Sequence, residues 1–368
     1  MVYLAGADGR ITTRRSRDVR SPLHQAAGLV GHILLPDGGA KSVTSDYWQF
    51  SLFGFLRGVA SSATAVLATQ GLMRALGMGT GAAAATSAAV NWVLKDGLGR
   101  LGCILVASLV GGRFDNDPKT FMFLGDVMYE LGILIEMLSP LCPGLFLVTA
   151  SLANAAKSCS YMIRLPPRSA VLKNFARGEN LGDINAKANS QDVLSGLVGM
   201  VLGIAMARLV QVSIPRALAV FAVTTAFVLW ASWMSLSGLK LRTLNWQRLQ
   251  TILRQFARDG KVPSTEEANR EEVVPSFLAW AAGRPRRRAQ VDISSPLSAT
   301  ARTTEEFAGL REMYAGRDYL LNVVASSGGR PKVAITFRDD PSVEDSIFAL
   351  LQAERIAQQL ERQGAAQG

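Results

Sequence analysis

Three charged side chains interrupt a long apolar stretch in the first third of the chain. Lys95, Asp96 and Arg100 lie in the segment NWVLKDGLGRLG, between an Ala-rich run and the apolar run 103–110. A charge in apolar surroundings must be paired or must face water, because desolvating it alone is costly. We interpret the segment as a polar hinge or contact point inside an apolar helical body. The alternative is a helix–turn–helix corner, in which Gly97 ends one helix.

A pair of acidic residues, Asp126 and Glu130, lies on a helix that we predict to start near Pro118. Residues four apart share one helix face, and two carboxylates placed there repel each other unless a cation lies between them. Lys95, Arg100 or a bound cation could supply that positive charge. The alternative is an acidic stripe that a neighbouring helix neutralises.

The most polar part of the apolar body is the segment 157–192. Within it, Asp183 and Lys187 are four residues apart, with the acid first, which is the favourable order for an ion pair on a helix. We predict a further candidate ligand or polar-core site at this pair.

Histidine and cysteine are too scarce for most catalytic or metal sites. The chain has two histidines and three cysteines, and the cysteines form no CxxC pair. A zinc ribbon, an HExxH helix and a Ser-His-Asp triad are therefore disfavoured. We predict no catalytic residue, no metal site, no resident cofactor and no enzymatic activity. A soluble enzyme with a Schiff base at Lys95 is an alternative, although the sequence supplies no base or phosphate loop beside that lysine.

The composition is poor in charge. Charged residues make up 18% of the chain, hydrophobic residues 49%, and the mean hydropathy is +0.19. Soluble domains carry about 25% charged residues, so packed apolar helices or membrane spans are favoured. The charge-free run 217–239 is long enough to cross a hydrocarbon core of about 30 Å, and a buried core helix is the alternative. We predict a mainly α fold, a polytopic helical membrane-associated bundle with a small C-terminal α+β tail.

The formal net charge of +10 would suit anionic lipid or nucleic acid. The basic residues lie mainly outside the apolar runs, as at membrane flanks. The basic run 284–288 is too short to argue for nucleic-acid binding without aromatic platforms nearby. We therefore expect membrane lipid as a partner and no nucleic acid.

Two glycine pairs are spaced so that helices can approach closely. Gly54 and Gly58 form a GxxxG pattern, and Gly199 and Gly203 form another in a run without charge. Such small residues let two helix backbones pack against each other in apolar surroundings. We predict that these glycines mediate helix association, including association between copies of the chain or with relatives.

The chain divides into five segments by composition. We predict a basic, disordered leader over 1–33, an apolar helical body over 34–240, basic amphipathic helices over 241–283, a linker over 284–310 and a small soluble α+β tail over 311–368. Whether the leader is a cleaved targeting segment is left open. The tail prediction depends on strand-like runs at 319–324 and 332–337 and on helical spacing from Val343.

Five segments in order resemble one known family. They read LLPDGGAKSVTSDYWQF, LATQGLM, NWVLKDGLGRLG, FDNDPKTFMFLGDVMYELGILIEMLSP and NLGDINAKANSQDVLSGLVGMVLG. Over residues 34–260 the chain thus resembles the root UVB sensitive (RUS) family, also known as a domain of unknown function. It departs from the family pattern at Gly39-Ala40, where Tyr-Pro is usual, and at Asn91, where Gln is common.

The resemblance implies a role without a mechanism. It implies a membrane-associated protein of the UV-B response and of vitamin B6 homeostasis, in a plastid or another organelle membrane, that acts together with other members. Our first hypothesis is an integral membrane protein that handles or transports a small metabolite, with pyridoxal phosphate as a candidate ligand of Lys95 and Arg100. The alternative is a membrane-anchored scaffold that acts through association with itself or with relatives.

Overall fold

Long helices form the body of the protein. The computed structural model describes residues 2–5, 11–14, 31–75, 93, 96–97, 117–210, 213–276, 290–292, 295–325 and 331–366. The body helices are α1 (Tyr47–Ala75), α2 (Pro118–Leu138), α3 (Phe146–Phe175), α4 (Leu181–Val210) and α5 (Ile214–Ser237). Helix α2 packs along α3 and also contacts α1 and α5, while α1 packs along α4 and α5. The prediction of a mainly helical chain is confirmed.

Helix α2 begins where the sequence indicates. Asp117 is its N-cap and accepts a hydrogen bond from the backbone N–H of Thr120, and Pro118 occupies the first turn, where it requires no backbone donor. Short 3-10 turns at Ser139–Leu141 and Pro143–Leu145 then connect α2 to α3. Pro140 and Pro143, one in each turn, interrupt the regular helical hydrogen bonding and so separate the two helices.

Helices α1 and α4 pack closely because glycine lies at their contact. A Cβ atom added at Gly199 would lie 2.4 Å from the carbonyl oxygen of Val59, and one at Gly203 would lie 2.7 Å from that of Ala63. A Cβ at Gly58 would meet the Ser195 hydroxyl at 2.4 Å. Three of the four glycines predicted to associate helices therefore lie between two helices of one chain.

Gly54, the fourth of these glycines, has nothing within 4 Å of an added Cβ. The GxxxG spacing of Gly54 and Gly58 thus contains one glycine that a close contact requires and one that it does not.

Three described helices, α1, α4 and α5, are long and apolar enough to cross a membrane. Their apolar side chains are not all turned inwards. On α4, Val193, Leu197 and Val201 are exposed, and on α5 Val223 and Trp230 are exposed. Apolar faces of this kind are typical of helices that meet lipid or another apolar surface.

A buried polar cluster fixes the segment after α5 to the start of α2. The Lys119 ammonium lies 2.6 Å from Glu272 Oε2 and donates to the carbonyl of Leu239 at 2.7 Å and to the Asn269 amide oxygen at 3.2 Å. Arg248 lies 3.3 Å from the same Glu272 oxygen. Burial lowers the pKa of Lys119, and Glu272 opposes that shift.

The segment after α5 contains two helices, α6 (Trp246–Asp259) and α7 (Thr265–Arg270). Helix α7 starts with a capping box, in which the side chains of Ser264 and Glu267 each accept a hydrogen bond from the other residue's backbone N–H. Helix α6 packs along a C-terminal helix, α10 (Val343–Ala366), and so connects the body to the tail.

The C-terminal unit is a three-stranded mixed sheet covered by helices. Its strands are β3 (Gln290–Asp292), β4 (Tyr319–Ala325) and β5 (Pro331–Phe337), with α8 (Leu297–Thr300) and α9 (Thr304–Met313) between β3 and β4. The order is β3-β5-β4, with β3 parallel and β4 antiparallel to β5. Val333 and Ile335 are fully buried in its core together with Leu321. The small α+β tail is confirmed.

Two of the predicted segments contain regular secondary structure. In the predicted linker, 284–310, residues 290–292 form a strand beside β5 and residues 304–310 are helical. Part of the predicted disordered leader, 1–33, pairs as two antiparallel strands, β1 (Val2–Ala5) and β2 (Ile11–Arg14). Val2 and Tyr3 in β1 and the β-branched run Ile11-Thr12-Thr13 in β2 favour strand formation.

The close contact between α1 and α4 leads to a stability prediction. We expect Gly199→Ala to lower the free energy of unfolding by about 1–3 kcal/mol, because the new methyl group must push the two backbones apart. Gly196→Ala on the same helix is the matched control. Nothing lies within 4 Å of its Cβ position, so the higher helix propensity of alanine should leave stability unchanged or slightly raised. Thermal unfolding of the purified variants measures both, and equal melting temperatures would contradict the contact.

Candidate functional site

Asp126 lies at the junction of four body helices. Its side chain is 4% exposed, and its Oδ1 atom lies 2.9 Å from Arg57 Nη1 on α1 and 3.0 Å from Arg164 Nη1 on α3. The Ser232 hydroxyl on α5 donates to the other carboxylate oxygen at 2.5 Å. One carboxylate thus neutralises part of two guanidinium charges and connects α2 to three neighbouring helices.

Glycine makes this junction possible. A Cβ atom added at Gly125 would lie 2.1 Å from Arg164 Cγ and 3.1 Å from the carbonyl oxygen of Ser160. The absence of a side chain at Gly125 therefore allows the aliphatic part of Arg164 to cross the surface of α2 and reach Asp126.

The two arginines line a small cavity. We call it the Asp126 pocket; it has a volume of about 40 Å³, room for on the order of three water molecules. Its charged and polar lining includes Arg57, Asp126, Arg164, Arg168, Asp192 and Ser232. Three arginines face two aspartates, so the lining carries one more positive than negative charge.

One donor in the Asp126 pocket is unused. Arg164 Nε is buried and has no hydrogen-bond partner among the described residues. Burial and the neighbouring Arg57 lower the pKa of Arg164 to about 10, so this guanidinium stays charged at neutral pH. An unused donor on a charged guanidinium favours an anionic oxygen as its partner.

Arg168 lies where the pocket opens. It lies 2.6 Å from Asp192 on α4, whose side chain is 55% exposed, and 3.2 Å from the amide oxygen of Asn189. Because Asp192 is more than half exposed, this ion pair contributes less to stability than a fully buried one.

Glu130 forms a second polar level one helical turn further along α2. Its carboxylate accepts hydrogen bonds from Ser61 on α1 at 2.7 Å and from Thr225 on α5 at 2.9 Å. It forms no ion pair with any residue of the described ranges. Helix α2 is not one of the three candidate membrane spans. Burial raises the pKa of Glu130 above its ordinary value, although the two hydroxyl donors oppose the shift.

Asp183 and Lys187 come together as an ion pair, with a distance of 3.5 Å. Lys187 also lies 3.7 Å from Asp37 and donates to the carbonyl of His32, and the backbone N–H of Asp37 donates to Asp183 at 2.8 Å. The pair thus attaches the turn near residue 37 to the start of α4. It does not line the Asp126 pocket.

The partners of Asp126 and Glu130 among the described residues come from α1, α3 and α5. Lys95 and Arg100 lie outside the described residues, and Asp96 lies in a helical turn, half-buried. The cations at Asp126 are Arg57 and Arg164, and Glu130 is bound by hydroxyl groups instead of by a cation. A third alternative, an acidic stripe neutralised by neighbouring helices, describes Asp126 correctly.

The three pocket arginines were not identified from the sequence. Arg57 lies in an aromatic and apolar helix, and no local sequence pattern indicates its contact with the distant Asp126. Arg164 and Arg168 are four residues apart on α3, in the polar segment 157–192, and that spacing was the one available indication. Within the described ranges, no three His, Cys, Asp or Glu side chains lie together as a metal site requires.

Comparisons with known proteins place the pocket in a defined domain. Residues 21–260 match the model of the vitamin B6 photo-protection and homoeostasis domain. That range contains every residue named in the Asp126 pocket and ends at Gly260, the C-cap of α6. No solved structure matches the chain.

Several plant relatives are similar over most of the chain. Protein root UVB sensitive 4 of Arabidopsis thaliana is 33% identical over 334 residues, covering 87% of this chain and 63% of the relative. The chloroplastic protein root UVB sensitive 2 of the same plant is 33% identical over 270 residues, covering 73% and 62%.

The similarity extends beyond plants. RUS family member 1 of Dictyostelium discoideum is 29% identical over 246 residues, which cover 66% of this chain and 47% of that protein. This chain therefore spans about half to two thirds of the length of these relatives. With a domain match over 240 residues and relatives one third identical, the chain belongs to the root UVB sensitive family.

Proposed function

We propose that this chain is an integral membrane protein of vitamin B6 homoeostasis that binds a small phosphorylated metabolite of the B6 type in the Asp126 pocket. The single observation that carries the proposal is the set of three arginines that line this cavity, one of them with an unused buried donor. The family description names vitamin B6, and the phosphorylated forms of that vitamin are anions. One guanidinium group can donate two parallel hydrogen bonds to two phosphate oxygens, which the ammonium group of lysine cannot do.

The size of the cavity sets the expected mode of binding. The cavity is small, about 40 Å³, so we expect only the phosphate group of the ligand to enter it. The ring would therefore lie towards the exposed Asp192 side, where Arg168 can turn from its carboxylate partner to the ligand. Inside, Arg57 and Arg164 would share their charge between Asp126 and the phosphate.

Location in a membrane is supported by the three apolar helices and their exposed apolar faces. The name of one relative, which is chloroplastic, makes a plastid membrane the first location to test. A pocket between the helices of such a bundle, reached from one side, is suited to binding or moving a small anion. We propose binding of the anion first; transport of the anion across the membrane would be a further step that requires this binding.

Binding can be measured directly on the purified full chain. We expect pyridoxal 5′-phosphate and inorganic phosphate to bind competitively, and Arg164→Gln to weaken both by about tenfold or more, the value of one charge-assisted hydrogen bond of ~1.5–3 kcal/mol. Arg168→Gln should weaken pyridoxal phosphate without unfolding the body. Lys173→Gln, which removes an exposed charge from the same helix outside the pocket, is the control. Equal affinities in all three variants, or no binding of either probe, would contradict the proposal.

Membrane insertion has its own test. After alkaline carbonate treatment of native membranes, we expect the chain to stay in the pellet. Val223→Lys combined with Phe227→Lys places charge on the exposed face of α5 and should release part of the protein, since each lysine at the centre of a bilayer costs about 2.5–3.5 kcal/mol. Glu344→Lys, an exposed substitution on α10, should have no effect. Release of the unmodified chain would show that lipid does not surround these helices.

A further inference from the structure

Glu130 and Asp126 form two levels of one polar column inside the bundle. Asp126 and Glu130 are one turn apart on α2, and the same two neighbouring helices contribute to both levels. Helix α1 supplies Arg57 to the first level and Ser61, one turn later, to the second. Helix α5 supplies Ser232 to the first and Thr225, two turns earlier, to the second.

The second level holds a carboxyl group that forms no ion pair with a cation of the described ranges. Glu130 is 3% exposed, and both of its oxygens accept hydrogen bonds from neutral hydroxyl groups. Asp126 on the same face already occupies the nearby guanidinium groups. A buried carboxylate without a countercharge pays a large desolvation cost, which a proton removes.

Among the described residues, the cations of the neighbouring helices α1 and α3 nearest to Glu130 already have acidic partners. Arg57 on α1 and Arg164 on α3 both pair with Asp126. Lys157 on α3 lies 2.5 Å from Glu136. Helix α2 itself adds Asp126, Tyr129 and Glu136, and α5 has a single charged residue, Arg216, in its first turn. Of these acids, Asp126 raises the affinity of Glu130 for a proton, and Arg57 opposes it.

We propose that Glu130 is a proton-binding site of the bundle and that its protonation is coupled to anion binding in the Asp126 pocket. The coupling rests on the proposed function, whereas the proton site does not. An anion between Arg57 and Arg164 adds negative charge one turn away from Glu130 and offsets the charge of Arg57. Anion binding therefore favours uptake of one proton from solvent by the Glu130 carboxylate, and a proton on Glu130 favours the anion by the same factor.

The hydroxyl groups around Glu130 can accommodate both states. A hydroxyl donates one hydrogen bond and accepts others, so Ser61 or Thr225 can donate to the carboxylate or accept from the protonated acid. The Thr64 hydroxyl on α1, 3.0 Å from that of Thr224 on α5, continues the column by a third level. The column thus contains hydroxyl groups that can reorient when Glu130 gains or loses a proton.

The proton site can be tested without a ligand. Infrared difference spectra of the full chain, taken between roughly pH 5 and pH 8, above the ordinary Glu pKa of about 4.3, report the carbonyl stretch of protonated carboxyl groups. We expect a band that disappears in Glu130→Gln and stays in Glu136→Gln, an equally buried residue of the same helix that Lys157 neutralises. A spectrum without this band, or one that Glu130→Gln leaves unchanged, overturns the proton site.

The coupling is tested by calorimetric titration with sulfate, an anion that does not titrate in this range, in two buffers of different ionisation enthalpy. We expect uptake of up to one proton per bound anion, and an affinity that falls by up to about tenfold per pH unit as Glu130 ionises. Glu130→Gln should bind sulfate with neither effect, and Glu136→Gln should keep both.

Binding of sulfate without a proton change overturns the coupling alone. Failure of sulfate, phosphate and pyridoxal phosphate to bind removes the proposed function and the coupling, and the infrared result still decides the proton site.

Discussion

The structure depends on one constraint: a charge inside an apolar helical bundle must find a partner of opposite sign or lose its charge. Asp126 satisfies it through two arginines from different helices and a serine hydroxyl from a third. Breaking a buried ion pair by removing one partner typically costs about 3–5 kcal/mol. The position of α2 between α1, α3 and α5 is therefore fixed by charge as well as by apolar packing.

Small residues allow the close contacts on which this arrangement depends. Gly125 gives Arg164 its path to Asp126, and Gly199 brings α4 against α1. Close packing of the helices leaves only a small cavity beside the arginines, the Asp126 pocket.

The parts of the fold that depend on local sequence were predictable. The Asp117–Pro118 start of α2, the capping box at Ser264 and the strands β4 and β5 follow from residues within a few positions. Long-range pairing was not predictable. Asp126 and Glu130 were recognised as a pair on one helix face, but their partners Arg57 and Thr225 are 69 and 95 residues away in the chain. Strand β3 was missed for the same reason, since its three residues gain their hydrogen bonds from distant β5.

Asp126 and Arg164 should stabilise the bundle as a pair, and a double-mutant cycle measures their interaction energy directly. The free energy of unfolding would be determined in one detergent for the original chain, Asp126→Asn, Arg164→Gln and the double variant. A buried, coupled pair predicts that the double variant loses less than the sum of the single losses, with a coupling energy on the order of 1–3 kcal/mol. Losses that add to within about 0.5 kcal/mol would contradict the claim that this ion pair determines the arrangement of the helices.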